Sequence, residues 1–419
     1  MNILLVVTGS ISAYKSVDIA RGLVNRGHGV KVILSVGAIE FVNPKIFNYL
    51  GILDTYLSTD DFNNQKGVLH IELSKWCDTF VLCPASANTI SKLATGRCDD
   101  LLSSVYLSLP EDKIKLIFPA MNVHMLNNSI TQKNIKILRE QMNTVIIDPN
   151  SGLLACGDTG DGKLPKVEEI CELIPTFTNK FVDKMVIITA GATISNIDDI
   201  RYVTNPAKGG TSYILAKKYL SEGYKVLVIK GKYVIPEFEY LEKHSRYISE
   251  TVVSTQDLLS CMKTHCANGS DFNIFISPMA VSDIEFEYKS GKIKKSDMNG
   301  KFNFKQAPDV LAYVLNHKQE KHTIVGFVAE AKMTEEVIKE KMKRKPVDLL
   351  VANEVNSGLT GSDKKGFGTR EGNYKLVYTA NRYMVSSRRE EGFRIDEYVN
   401  LSKQSLAYKI FELVESLSF

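Results

Sequence analysis

The feature that most constrains this chain is a series of short, almost wholly apolar stretches separated by segments of helical period. Ile3 to Val7, Val30 to Leu34, Thr79 to Cys83, Lys115 to Phe118 and Val145 to Ile147 read as strands. Ser16 to Asn25 and Thr89 to Ala94 have helical spacing, and Arg26-Gly27-His28-Gly29 stops the first of these. A sheet with one wet face alternates apolar and polar residues along each strand. Strands that are apolar throughout must be buried on both faces. Such strands, separated by helices, predict a parallel sheet covered on both sides, an α/β architecture.

The pattern restarts at Lys184. Met185 to Thr189 reads as a strand, Ala190-Gly191-Ala192 as a turn, Ser212 to Glu222 as a helix stopped by Gly223, and Lys225 to Ile229 as the next strand. Two α/β domains follow, 1–175 and 184–419, with the boundary near Pro175 to Asp183, where no strand pattern exists. A length of 419 residues accommodates both. Phe286 to Phe304 is rich in Lys, Gly and Ser and reads as a long functional loop or a dimerisation arm.

Composition removes several function classes. A net charge of +4 gives no reason to expect nucleic acid as a partner. No stretch approaches the ~18 apolar residues of a membrane span. The first apolar run has no charge before it and ends in Gly9-Ser10, which suits a buried strand rather than a signal peptide. The seven cysteines are odd in number and contain no CxxC pair, so neither a zinc site nor a disulfide framework is indicated. A reducing cytoplasm fits this usage.

Three strand ends carry small or polar turns. Thr8 to Lys15 follows the first strand and opens a helix. Small residues there let backbone approach a phosphate, and helix N–H groups point at it. The alternative is a plain tight turn. The absence of GxGxxG disfavours dinucleotide binding of the usual kind. Pro84 to Thr89 (PASANT) and Pro119 to Met125 (PAMNVHM) follow two further strands. Ligands of open α/β sheets bind at the carboxyl ends of strands, so the three turns predict one crevice.

Taken in order, GSISAYK, His70 to Ser74 (HIELS), PASANT, GRCDDLLS, PAMNVHM and Leu154-Ala155-Cys156-Gly157 resemble the family of FMN-dependent cysteine decarboxylases. The resemblance implies a flavodoxin-like, doubly wound parallel sheet. It implies FMN held at Gly9, Ser10, Ser12, Ser35, Ser86, Ala87, Asn88, Thr89 and Met121. His70 matches the family's catalytic base, and Asn122 the asparagine that orients the departing carboxylate. Cys156 matches the cysteine that returns a proton, in a glycine-rich flap between Ser151 and Gly162. The chemistry needs a redox cofactor because a cysteine carboxylate has no electron sink. Oxidation at the thiol-bearing carbon creates a C=S group that accepts electrons as CO2 leaves. The plainer readings are a structural histidine at a strand edge and, for Cys156, a small buried hydrophobe.

Residues 184–382 resemble a Rossmann-like ligase that joins 4′-phosphopantothenate to L-cysteine using CTP. The matching positions are Asn205 in DDIRYVTN, then Ser277, Pro278, Met279 and Asp283 in SPMAVSD, and Lys292 in KIKK. Pro308, Asp309, Val310 and Leu311 follow, with Phe327, Lys341, Lys345 and the strand Asp348 to Asn353. A nucleoside triphosphate needs cations and a metal, which implies Mg2+ with CTP. Ala207 to Ser212 departs from the family's serine-rich, lysine-containing turn; Ile194-Ser195-Asn196 and Pro278-Met279 also depart. These departures leave open a decarboxylase with a degenerate second domain. A non-catalytic flavin-binding regulator or a prenyl-transferring flavin enzyme explains fewer of the motifs. The resemblance further implies a homo-oligomer.

Overall fold

The computed structural model describes residues 1–60, 68–153, 157–266, 272–294, 302–355, 371–379 and 393–417. The chain divides into two units, Met1–Lys180 and Phe181–Phe419.

In the first unit the strands are β1 (Asn2–Val7), β2 (Gly29–Leu34), β3 (Thr55–Leu57), β4 (Thr79–Ala85), β5 (Ile114–Pro119) and β6 (Thr144–Ile146). They form one sheet in the order β3-β2-β1-β4-β5-β6, and the neighbouring pairs are parallel. Apart from the short edge strand β3, this is the flavodoxin-like order, with its switch point between β1 and β4. The reason for unbroken apolar strands is visible along β1. Ile3, Leu5 and Val7 enter one core with Val32, Val81 and Phe118. Leu4 and Val6 enter a second core with Ile33, Phe80 and Ile117. Successive side chains point to opposite faces, so both must be apolar.

The helix read at Ser16–Asn25 forms over those residues, preceded by a 3-10 turn at Ile11–Lys15. His70 stands in the first turn of a helix, Leu69–Trp76, and not at a strand edge. The HIELS stretch carries one apolar face, with Leu69 and Leu73 buried one turn apart. The flap region contains an antiparallel hairpin, β7 (Asn150–Leu153) with β8 (Thr159–Lys163). Residues 154–156, Cys156 among them, lie outside the described residues.

The second unit contains β9 (Met185–Ala190), β10 (Ile194–Asn196), β11 (Tyr202–Thr204), β12 (Lys225–Gly231), β13 (Tyr247–Val252), β14 (Ile274–Ser277), β15 (Ile284–Phe286) and β16 (Phe304–Gln306). It continues with β17 (Thr323–Glu330), β18 (Leu349–Glu354), β19 (Glu371–Thr379) and β20 (Phe393–Ser402). Its main sheet runs β13-β12-β9-β14-β17-β18-β19-β20. The first six strands are parallel in a Rossmann-like order, and β19 and β20 are antiparallel. The two-core pattern repeats: Val186 and Ile188 face one core, and Ile187 the other. Two ribbons stand apart from the sheet, β10–β11 and β15–β16. The second pairs Phe286 with Phe304, so the ends of the polar segment are zipped together while 287–292 are exposed.

Phe118 is fully buried in the middle of the first unit. Phe118→Ala should destabilise that unit by about 3–5 kcal/mol through lost transfer energy and a residual cavity. Chemical denaturation followed by circular dichroism checks this.

Candidate functional site

At the carboxyl edge of the first sheet, one buried hydroxyl joins two of the turns. Thr8 Oγ1 donates to the Pro84 carbonyl at 2.8 Å and accepts the Ser86 N–H at 2.9 Å. The TGSIS and PASANT turns are therefore one assembly. Ser10 Oγ accepts the Ser12 N–H at 3.3 Å and opens the 3-10 turn. Ser35 caps the short helix Val36–Ile39 by accepting the Ala38 N–H at 3.2 Å. Ser86 caps the helix Ala87–Ala94, and its hydroxyl lies 3.2 Å from that of Thr89. Ala87 is half-buried in the first turn of that helix, and Asn88 beside it is exposed.

Gly9 and Gly37 explain why these loops converge. A Cβ on Gly9 would lie 3.1 Å from the Gly37 backbone, and one on Gly37 would lie 3.2 Å from Gly9 Cα. The loops after β1 and β2 thus meet backbone to backbone, so closely that a side chain at either glycine would need the other loop to give by a few tenths of an ångström. Thr8 and Gly37 were not singled out in the sequence. Thr8 reads only as the first residue of a turn, and the partner of Gly9 lies in another loop.

The third turn joins the hairpin. Met121 N–H donates to the Gly162 carbonyl at 3.2 Å. Asn122 Oδ1 accepts the His124 N–H at 2.8 Å, and its Nδ2 donates to Asp158 at 2.9 Å. Asn122 is thereby held against the hairpin that flanks 154–156. His70 is half-buried on a separate element, and its carbonyl accepts a bond from the Ser108 hydroxyl at 3.5 Å. The GRCDDLLS motif has a structural use. Asp100 caps the helix Leu101–Ser108 in a capping box, and Lys92 pairs with Asp99 at 2.6 Å and Asp100 at 2.7 Å.

In the second unit a cavity of about 690 Å³ opens beyond the carboxyl ends of β9, β14, β17 and β18. It gathers Asn205, Pro278, Met279, Asp283, Leu311, Phe327, Lys341 and Lys345 from the sequence candidates. An adjoining cavity of about 190 Å³ holds Ser277, Pro308, Asp309 and Val310 and shares Asp283, Phe327 and Lys345 with the first. Lys292 lines neither.

The departing segment Ala207 to Ser212 lies in the cavity wall. Gly209 adopts a left-handed conformation (φ 79°) and begins the helix Gly210–Ser221 without a side-chain cap. A Cβ on Gly209 would lie 3.1 Å from the Gly191 nitrogen, which puts this helix start close against the end of β9. A helix start of this kind offers N–H groups and positive potential to an anion. Lys208 still lines the cavity, while Ser212 serves the fold by donating to the Thr189 carbonyl at 2.9 Å.

Electrostatics separate the cations. Lys341 pairs with Glu330 at 2.8 Å and Lys345 with Asp309 at 2.8 Å. Burial pulls the Asp309 carboxyl upward, but Lys345 and the Ala312 N–H outweigh it and hold it below the usual range. Lys403, at the start of the helix Lys403–Leu417, lines the same wall, and its ammonium lies 3.6 Å from where a Cβ on Gly210 would be. Burial lowers its pKa. Asn353, also in the wall, has a buried Oδ1 with no hydrogen-bond partner among the described residues. Lys403 carries no local signal, since it stands alone at a helix start far along the chain.

Lys292 belongs instead to a tethered segment. The Asp198 side chain accepts N–H bonds from Ile200 at 2.9 Å, Arg201 at 2.7 Å and Ile293 at 3.1 Å, and pairs with the Arg201 guanidinium. Arg201 also donates to the Ile293 carbonyl at 3.1 Å. The Arg201 bond, with these N–H groups, holds the Asp198 carboxyl far below the usual carboxylate range. Asp199 accepts the Gly291 N–H at 2.8 Å.

Comparison with known proteins agrees with this division. Residues 1–179 match the flavoprotein family, and residues 181–417 match the DNA/pantothenate metabolism flavoprotein C-terminal domain. The coenzyme A biosynthesis bifunctional protein CoaBC of Bacillus subtilis is 33% identical over 370 residues, 86% of this chain and 87% of that protein. Its counterpart from Haemophilus influenzae is 33% identical over 361 residues, 85% of this chain and 87% of that protein. Among solved structures, the FMN binding protein AtHal3 is 31% identical with a TM-score of 0.37, covering 41% of this chain and 94% of that one.

The Asp198 anchor gives a pH signature. A carboxyl whose pKa is depressed by folding contributes stability above its unfolded value of about 3.9, and loses it as pH falls through the folded value. Asp198→Asn should therefore melt below the wild type at neutral pH, and the gap should begin to close only under about pH 3.9. Thermal melts across a pH series measure this.

Proposed function

This chain belongs to the family of bifunctional coenzyme A biosynthesis proteins, and we infer from its two units how it carries out two activities, decarboxylation and ligation. The second unit joins 4′-phosphopantothenate to L-cysteine with CTP and Mg2+. The first decarboxylates the resulting 4′-phosphopantothenoylcysteine with FMN. The observation that carries this reading is that each unit places small-residue turns at the carboxyl edge of its parallel sheet, where anionic groups bind.

FMN fits the first crevice because the Gly9–Gly37 contact and the capped helix starts at Ser10, Ser35 and Ser86 leave backbone open to a phosphate and an isoalloxazine edge. It supplies the two-electron chemistry that creates and then removes the electron sink. His70 takes the first proton. The Asn122 amide, fixed by its bonds to His124 and Asp158, orients the carboxylate for loss of CO2. Cys156 delivers the closing proton.

In the ligase unit, the Gly210–Ser221 helix start with Lys208 and Lys403 receives the triphosphate. Asn205 and Asn353 meet the acyl-nucleotide through their amides, and Lys341, Arg344 and Lys345 offset charge on the far wall. Lys292 acts from the tethered segment, not from the cavity wall. The departures at Ala207 to Ser212 do not dismantle this wall, because Lys208 and the Gly210–Ser221 helix start stand in it. The exposed Tyr202, Tyr288, Phe302 and Phe304 on the two ribbons suit a dimerisation arm, and we propose a homo-oligomer. No helix among the described residues is long and apolar enough to cross a membrane. We place the enzyme in the cytoplasm, with small molecules as its substrates.

The purified protein should carry flavin absorption, and pyrophosphate release should require CTP and phosphopantothenate together. A colourless protein that FMN cannot reconstitute would overturn the first assignment.

Lys403→Met should lower kcat/KM for CTP by roughly 10–100-fold, the loss of one charge-assisted hydrogen bond, and Lys403→Arg should recover part of it. Pyrophosphate assays under varied CTP test this, and an unchanged kcat/KM would remove Lys403 from the site.

His70→Asn should abolish CO2 release. Cys156→Ser should still release CO2 but stop at an oxidised enethiol product, because a serine hydroxyl is a far poorer acid than a thiol. Paired CO2 and product analysis separates the two roles. Normal turnover by Cys156→Ser would assign Cys156 to packing.

A further inference from the structure

Away from both ligase cavities, three side chains of different chemistry converge on the edge of the second sheet. Cys261 and His265 lie one turn apart on the helix Thr255–Cys266 and so share one face. Glu250 stands on β13, the edge strand of the eight-stranded sheet. Cys261 Sγ is 3.1 Å from one Glu250 oxygen, and His265 Nε2 is 3.0 Å from the other. One donor atom from each of the three residues lies within 4.8 Å of the others. The helix presenting two of them is fixed by Leu258 and Met262, both fully buried.

We propose that Glu250, Cys261 and His265 form a binding site for a divalent ion of the zinc class. Around a tetrahedral zinc, sulfur, nitrogen and oxygen donors stand about 2.0–2.3 Å from the metal, which puts them roughly 3.3–3.7 Å from one another. The two short contacts are to different Glu250 oxygens, and with the three donors within 4.8 Å of one another, rotation of side chains that solvent already reaches brings them to these separations. A thiolate and an imidazole select zinc or cobalt over magnesium, so the site is distinct from any Mg2+ that accompanies the nucleotide. Glu250 can bind through one oxygen, leaving a position for water, or through both. On binding, the sulfur–hydrogen bond of Cys261 is replaced by a sulfur–metal bond and the proton leaves to solvent. No oxidation is involved. Burial, followed by the Glu250 carboxylate, pushes the free thiol up to about 12, so the metal-free protein keeps that proton. Sequence spacing did not show the site, because the third ligand comes from a strand on the far side of a turn.

The test uses the full flavin-containing chain, cleared of metal with a chelator and titrated with Co2+ without nucleotide. Absorption is read on the red side of the flavin bands. The expected result is saturation at about one equivalent, with the intense d–d bands of four-coordinate cobalt and thiolate-to-metal charge transfer in the difference spectrum. Zn2+ should displace the cobalt and raise the melting temperature. Cys261→Ser, His265→Gln and Glu250→Gln should each weaken cobalt binding at least ~10-fold, and Zn2+ should then raise the melting temperature less than in the wild type. The pale spectrum of six-coordinate cobalt, or bands that persist in Cys261→Ser, would overturn the proposal. Circular dichroism of each variant confirms that any loss of binding comes from a folded protein.

Discussion

Burial of the parallel strands on both faces is the constraint from which the rest of this structure follows. Alternate residues of β1 and β9 enter different cores, so helices must cover both sides of each sheet. Covered faces leave no room for a ligand. What remains is the carboxyl edge, where the strand order reverses and the connections leave in opposite directions. Both crevices are therefore set by topology, and the side chains there differ. That one constraint, met twice in one chain, produces two sites of the same plan with different chemistry.

The two sites use the plan differently. In the first unit, positive potential comes from backbone: three serines cap three helix starts, and two glycines bring the loops together. In the second, a single uncapped helix start is surrounded by lysines and an arginine. Two of those lysines are neutralised by Glu330 and Asp309, while Lys403 is desolvated near the helix start. A flavin phosphate carries modest charge and needs shape. A triphosphate carries more and must be met by cations as well as dipoles.

Much of this was legible in the chain because the signals are local. The strand at Ile3 to Val7 and the helix at Ser16 to Asn25 follow from period alone, and the motif turns mark the strand ends. The parts that were not legible depend on residues distant in sequence. Thr8 matters because Pro84 and Ser86 come to it, and Gly37 because Gly9 does. Lys403 reaches the cavity only through the packing of the last helix. The plain reading of His70 as a strand-edge residue missed the helix that Leu69 and Leu73 mark by their one-turn spacing. Lys292 was marked by its motif alone, and the bonds from Gly291 and Ile293 to Asp199 and Asp198 that tether its segment join residues some ninety positions apart.

The Gly9–Gly37 contact has a consequence for heritable variation. Each glycine occupies the space that the other's side chain would need, and the obstructing atoms are backbone rather than a movable side chain. Every missense change at either codon adds at least a Cβ, and no second change at the other position can make room, since a glycine is already the smallest residue. Accommodation can come only from the loop backbones, which would have to part by a few tenths of an ångström.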